Sequence, residues 1–355
     1  MNPRPLRHVY LLKNTAPPAL KKLAVIILNW NGLKLLKRFI PAAARFTSGD
    51  DVDLIVADNG STDQSLQWLK KEYPWVITLA LGKNHGFAAG YNLAIEHFRQ
   101  YPYTILRNSD VEVTEGWWQP LLAFMEANAD AGACQPKIRS LRHPECFEYA
   151  GAAGGLLDRM GYPFCRGRLF DILEKDSGQY DTQGPVDIAW ASGAALMVRT
   201  ELYLRLGGLD PAFFAHQEEI DLCCRIHGAG YRVCYVPGPP VFHLGGASLS
   251  YDNPQKTYLN FRNNLLLIHK NLPRSIGRRR TFLRRVIDTA AIGMYLLKGD
   301  AKNAGAIIRA HRDFARMARD YTSFPDRDIL RSLPGSDRRI LIDRYLRLTR
   351  SGSAT

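Results

Sequence analysis

The run AVIILNW, residues 24–30, leads into GLKLLKRFIPAAARF, residues 32–46. The first is a short, continuous apolar stretch rich in β-branched residues, the pattern of a strand buried on both faces. In the second, Leu35, Leu36 and Phe39 share one side at helical spacing. The unit then repeats. VDLIVADNG (52–60) reads as a second buried strand, and TDQSLQWLKKEY (62–73) as a helix with residues 61–63 as its caps. WVITLAL (75–81) is a third strand, AAGYNLAIEHFRQY (88–101) a helix and YTILRNSD (103–110) a fourth strand. This β-α-β-α-β-α-β order predicts an α/β fold on a parallel sheet with right-handed crossovers.

Such sheets place ligands beyond the carboxyl ends of their strands. ILNWNG, VADNGSTD and LRNSD each close an apolar run with Asn, Asp or Gly. Turn chemistry explains one such ending; three together predict a shared site. LGKNHGFAAGYN (81–92) puts Asn84, Gly86 and Gly90 in a strand-to-helix turn. Glycine there lets backbone approach a ligand, and a helix N-terminus offers free N–H groups. Neither a GxGxxG fingerprint nor a P-loop is present. In LRNSDVEV (106–113), Asn108 and Asp110 flank one residue and so face the same way in an extended chain. An Asp beside an amide holds a hard divalent cation through oxygen, with phosphate and water completing the shell; an Asx turn is the alternative. FFAHQEEIDLCCR (213–225) crowds Glu218, Glu219 and Asp221 into four positions, either a solvated helix start or a catalytic base.

Between residues 131 and 186 the pattern loosens into expected strands and loops. VDIAWASGAALMVR (186–199) resumes strand character, TELYLRLGGLD (200–210) is a short helix stopped by Gly207 and Gly208, and PVFHLGG (240–246) a short strand carrying His243. After about residue 256 the chain turns helical. One apolar stripe there runs through Leu283, Ile287, Ala290, Met294 and Leu297, another through Ala304, Ile307, Ile308, Phe314 and Ala318. The formal charge of +13 is uneven: residues 271–355 hold 19 Lys or Arg against eight Asp and no Glu. The basic character therefore belongs to a tail. The six cysteines form no CxxC pair and no zinc spacing, as expected of reduced, buried thiols in a cytosolic protein. No signal-peptide core is seen, nor a run of about 18 apolar residues, so a soluble or peripheral protein is expected. The expected organisation is an arm (1–22), a catalytic domain (23–270) and a basic helical extension (271–355).

Taken in order, ILNWNG, VADNGSTDQS, NHGFAAGYN, LRNSDVEV, SGAALMVR, GGLDPAFFAHQEEIDLCCR and FHLGGAS resemble the inverting family 2 glycosyltransferases, in particular their rhamnosyltransferase-like branch, over residues 23–270. The resemblance implies a GT-A fold, in which a nucleotide-binding α/β half and an acceptor half share one mixed sheet. It implies transfer of a sugar from a nucleotide diphosphate, dTDP-rhamnose by the branch, to a glycan or lipid-linked acceptor of a surface polysaccharide, with Mg²⁺ or Mn²⁺ as cofactor. By position it implies that Asp58 contacts the nucleoside, that Asn29 and Asn31 lie in the first nucleotide loop, and that Asn84, Gly86 and Asn92 close over base and ribose. Asp110 matches the metal-binding Asp of the DXD-type motif, whose first Asp is replaced here by Asn108, and His243 matches a histidine near the diphosphate or metal.

An inverting transfer is one displacement and needs a base for the acceptor hydroxyl. Glu219 stands where the family has Asp and is assigned as that base, with Glu218 the alternative. Asp221 is expected to cap the helix and pair with Arg225 at i, i+4. Trp190 is either an acceptor-side stacking face or core, and Trp117 and Trp118 are expected in the core. The tail either meets an anionic membrane surface, as lipid-linked acceptors favour, or packs back on the catalytic domain; nucleic acid is the least expected partner. A nucleotidyltransferase would want a Gly-rich, basic first loop, which ILNWNG lacks. A non-catalytic glycan-binding scaffold is the rival that Asn108 and Glu219 motivate.

Overall fold

The computed structural model describes residues 10–11, 21–148, 150–169, 172–182, 184–245 and 253–340. Most of the expected N-terminal arm, the end of FHLGGAS and the last part of the basic extension lie outside these residues. Strand Leu23–Asn29 explains its own composition: Leu23, Val25 and Ile27 enter one core and Ala24 and Ile26 the other. A strand covered on both faces has no polar side, so alternation disappears. It pairs in parallel with Val52–Asp58 and with Tyr103–Arg107, and Ile77–Ala80 extends the parallel set. Helices α1 (Leu33–Phe46), α2 (Ser65–Glu72) and α3 (Phe87–His97) are the crossovers. Leu36, Ile40 and Leu69 of α1 and α2 join the core of Val25; Ala88, Tyr91, Ala94 and Ile95 of α3 join that of Ile26.

Beyond Tyr103–Arg107 the sheet becomes mixed. Ala195–Arg199 runs antiparallel to it and to Ala131–Gln135, and Arg232–Tyr235 lies parallel to the latter. Val186–Asp187 closes one edge and Tyr10–Leu11 the other, so two residues of the expected arm belong to the nine-stranded sheet. Helix α4 (Gln119–Ala127) covers one face after Trp117 and Trp118, whose indole N–H groups donate to Thr47 Oγ1 and the Phe46 carbonyl. A small sheet pairs Val241–His243 with Val111–Glu112 and Ile138–Ser140, which carries His243 to the end of Tyr103–Arg107.

Helices α5 (Thr200–Arg205) and α6 (Glu218–Gly228) precede three longer ones, α7 (Pro254–Lys270), α8 (Arg274–Leu297) and α9 (Ala301–Met317). Leu265, Leu266, Leu267 and Ile268 of α7 and Phe314 of α9 share a core with Ala24 and Ile26. Within the extension, Phe314 of α9 thus joins the core of the catalytic domain. The extension's two apolar stripes part company: α9 buries Ala304, Ile307 and Phe314, whereas α8 buries Gly277, Thr281, Arg284 and Asp288. That turns Phe282 (67% exposed), Leu283, Val286, Met294 and Leu297 (90% exposed) outward. No helix among the described residues is long and apolar enough to cross a membrane.

Candidate functional site

The strand ends are laced together by side-chain amides and a carboxylate. Asn29 Nδ2 donates to Asp58 Oδ1 (3.0 Å) and Ser61 Oγ (3.1 Å), and Asp58 Oδ2 accepts from the Ser61 N–H. Asn31, at φ 48°, accepts from the N–H groups of Thr62 and Asp63. Asn84 Oδ1 accepts from the Gly86 N–H (2.8 Å) and from Asn59 Nδ2 (3.1 Å). Asn59 also donates to the Gly86 carbonyl and accepts from the His85 N–H. Asn29, Asn31, Asp58, Asn84 and Gly86 therefore form one surface. Sequence reasoning passed over Asn59, which ties its two halves; its position beside Asp58 in VADNG was the available signal.

Asp110 and His243 meet across the small sheet. Asp110 Oδ1 lies 3.2 Å from His243 Nε2, and Glu148 Oε1 lies 3.5 Å from His243 Nδ1. Burial would pull the His243 imidazole down, but hydrogen bonding and charge from Asp110 and Glu148 outweigh it and hold it at about 10. The Asn108 N–H is fixed to the Ala194 carbonyl, while its buried Oδ1 has no partner.

Glu218 and Glu219 open α6 directly behind a strained turn. Phe214, His216 and Gln217 have φ of 63°, 69° and 71°. Left-handed geometry at a non-glycine residue costs of the order of 1–3 kcal/mol and collects where function over-determines the backbone. Burial raises both carboxyls, Glu219 to about 7, and the Glu219 charge raises Glu218 well above its usual range. Glu218 Oε2 and His216 Nε2 are buried without partners. Burial and then Lys256 push His216 down to about 4. Lys256 of α7 feels Glu148 and Arg168, and Cys165 feels Arg168, Glu148 and Glu219. Glu148, beside His243, and Glu219 thus both lie within electrostatic range of Cys165.

Three expected site residues are corrected. Asn92 does not close over a nucleotide: its Oδ1 accepts from Tyr203 Oη and the Leu209 N–H, and its Nδ2 donates to the Leu209 carbonyl. It braces α3 against the turn at Gly208, where a Cβ would stand 2.3 Å from Asn92 Oδ1. Trp190 is core, with its indole N–H on the Leu156 carbonyl and its ring against Gly155, where a Cβ would come within 2.1 Å. Asp221 makes the expected i, i+4 pair with Arg225 but does not cap the helix. Gln217 holds the cap position, and Asp221, fully buried, pairs with Lys270 (2.9 Å) and Arg225 (2.7 Å).

Residues 24–145 match the family model Glycosyl transferase family 2. Over those residues the chain is similar to the family 2 glycosyltransferases. It is 29% identical over 247 residues to the N-acetylglucosaminyl-diphospho-decaprenol L-rhamnosyltransferase of Mycobacterium tuberculosis, covering 65% of this chain and 78% of that one. Among solved structures, S. aureus TarS 1–349 in complex with UDP-GlcNAc superposes with a TM-score of 0.52 at 16% identity, over 84% of this chain and 81% of that one. GalNAc-T7 with UDP, GalNAc and Mn²⁺ gives a TM-score of 0.52 at 16% identity, over 68% of this chain and 47% of that one. The glycosyltransferase has the GT-A fold: a mixed sheet flanked by helices, followed by a helical extension.

The donor set of this glycosyltransferase fits a divalent cation. Among the described residues no three His, Cys, Asp or Glu side chains cluster as a cation cage. Asp110 Oδ1 and His243 Nε2 stand 3.2 Å apart, so a cation between them would replace that contact and the imidazole proton; two residues before Asp110, the buried Asn108 Oδ1 has no partner. Glu148 on the far ring nitrogen is the carboxylate–histidine pattern that orients a metal-binding imidazole. So few protein ligands suit a site that phosphate and water complete.

Proposed function

We propose that this glycosyltransferase is inverting and moves rhamnose from dTDP-rhamnose to N-acetylglucosamine carried on a polyprenyl diphosphate, for a surface polysaccharide. What supports the reading is the 29% identity to the mycobacterial rhamnosyltransferase for the substrates and, for the chemistry, the Asp110–His243–Glu148 contacts and the buried Glu218–Glu219 start of α6. The nucleoside would lie on Asn29, Asn31, Asp58, Asn84 and Gly86. Mg²⁺ or Mn²⁺, held by Asp110, His243 and the Asn108 oxygen, would supply positive charge to the leaving diphosphate. Glu219 takes the proton of the acceptor hydroxyl as its oxygen bonds the anomeric carbon. The bond from that carbon to the diphosphate breaks on the opposite face, and the proton stays on Glu219.

Thermal melting with dTDP-rhamnose and Mn²⁺ tests the donor half. At a hundredfold excess over Kd, binding adds about 2.7 kcal/mol to native-state stability. Asp110→Asn is expected to lose the Mn²⁺-dependent part of the rise. No shift with dTDP-rhamnose, alongside a shift with another nucleotide sugar, would reassign the donor; binding without transfer would return the scaffold reading.

The outward face of α8 supports docking on the cytoplasmic face of an anionic membrane, where a lipid-linked acceptor would be met. Phe282, Leu283 and Val286 stand beside the exposed Arg278, Arg279 and Arg285. Apolar side chains enter the headgroup boundary while each arginine adds about 1 kcal/mol near anionic lipid. In sedimentation with phosphatidylserine-containing vesicles, Phe282→Glu with Val286→Glu is expected to weaken binding at least about tenfold. Equal binding of the wild type to neutral vesicles counts against the docking surface.

A further inference from the structure

The turn at residues 213–217 puts three left-handed non-glycine residues within four positions, immediately before the acidic pair. Such a turn needs an outside partner, and α7 supplies one. Asn263, 0% exposed, directs Nδ2 at three carbonyls: Phe213 (2.9 Å), Ala215 (2.8 Å) and His216 (2.7 Å). An amide has two N–H donors, so three acceptors at this range share them, and the carbonyls are drawn to one point. The orientation of the amide is settled by Arg262, whose Nε and Nη2 donate to Asn263 Oδ1 at 2.9 and 2.7 Å. A flipped amide would set N–H against guanidinium. Arg262 Nη2 also donates to the carbonyls of Ala212 and Phe213. Gln217, the last left-handed residue, is held by the Asn260 carbonyl and by Asn264.

We propose that Asn263, oriented by Arg262, is a positioning residue for the Glu218–Glu219 pair, gathering the carbonyls of the preceding turn so that α6 begins with both carboxylates in the site. The proposal rests on the reading of Glu219 as base. Asn263 touches neither carboxylate; its action passes through the backbone. Pre-organisation of a reacting group is sensitive to small displacements, a shift of about 1 Å costing on the order of a hundredfold in rate.

The test is steady-state transfer by the full chain with dTDP-rhamnose and a polyprenyl-diphosphate N-acetylglucosamine, together with amide exchange over residues 213–219. Asn263→Ala is expected to lower kcat about 10- to 100-fold with donor KM within about twofold, and to accelerate exchange in the turn. Leu266→Ala opens a cavity on the same helix but removes no hydrogen bond to the turn; it is expected to lower Tm while kcat and that exchange hold. Arg262→Lys keeps the charge but loses the planar fork, and is expected to lower kcat to a smaller degree; it carries the test should Asn263→Ala not fold. An unchanged kcat or unchanged exchange in Asn263→Ala, or an equal kcat loss in Leu266→Ala, overturns the proposal. If Glu219→Gln keeps full transfer, the base reading fails instead; if Glu219→Gln is inactive and Asn263→Ala fully active, only the positioning role falls.

Discussion

Glu219→Gln lowers the transfer rate by about 10²–10⁴-fold while donor binding persists, because it deletes a general base without altering the nucleotide surface. The choice between the two acids rests on burial. Glu218 is 6% exposed and its Oε2 has no partner, whereas Glu219 is only half-buried and lies lower, at about 7. A base must be deprotonated to act, so the wild-type rate should rise with pH through about 7 and fall below it. Stability moves the other way. The folded carboxyl, raised from the usual 4.5 to about 7, binds more proton than the unfolded one across that window. Native stability therefore declines as pH rises from 4.5 to about 7, and the full cost stands above it. Glutamine removes the cost. Glu219→Gln should melt a few degrees above the wild type at pH 8, with the gap closing in acid, as expected where function and stability conflict. Calorimetry against pH, beside initial rates, checks both halves; undiminished transfer sinks the assignment.

Asp221→Ala should cost about 3–5 kcal/mol of stability, a large share of the roughly 5–15 kcal/mol that a folded chain holds. Asp221 Oδ1 accepts from Asn271 Nδ2 (2.8 Å) and Oδ2 from Lys270 Nζ (2.9 Å), with Arg225 at 2.7 Å. Alanine leaves the half-buried Lys270 with Asp210 alone and strips α6 of its join to the last turn of α7. A helix cap would cost only about 1 kcal/mol. Urea unfolding separates the two, and a loss at the lower figure would restore the capping role. Because α7 also carries Asn263, the same variant is expected to lose transfer at temperatures where it is still largely folded.

The parallel half of the sheet was legible because a strand buried on both faces can hold only apolar residues, and its polar ends then stand out. That is how Asn29, Asn31, Asp58, Asn84, Gly86, Asn108 and Asp110 were singled out as candidates. The antiparallel half was less legible: Ala131–Gln135 and Val186–Asp187 are five and two residues long, and pairing across 47 residues or more leaves no local trace. Asn92 and the capping role of Asp221 were misplaced, and Trp190 was left open, for a shared reason. An amide, an indole or a carboxylate serves a ligand and a brace equally well, and one turn of helix or one step of strand decides which way it points.

The sequence by itself determined the strand–helix order, the strand ends where polar residues gather and the separation of the basic extension from a nearly neutral body, since each follows from local periodicity and composition. Only the tertiary structure decided that His243 stands against Asp110, that Glu148 backs it, that α7 grips the turn before Glu218 and that α8 turns its apolar stripe outward. Those are contacts between segments distant in the chain, chosen by what each face can bury and which polar groups remain to be satisfied.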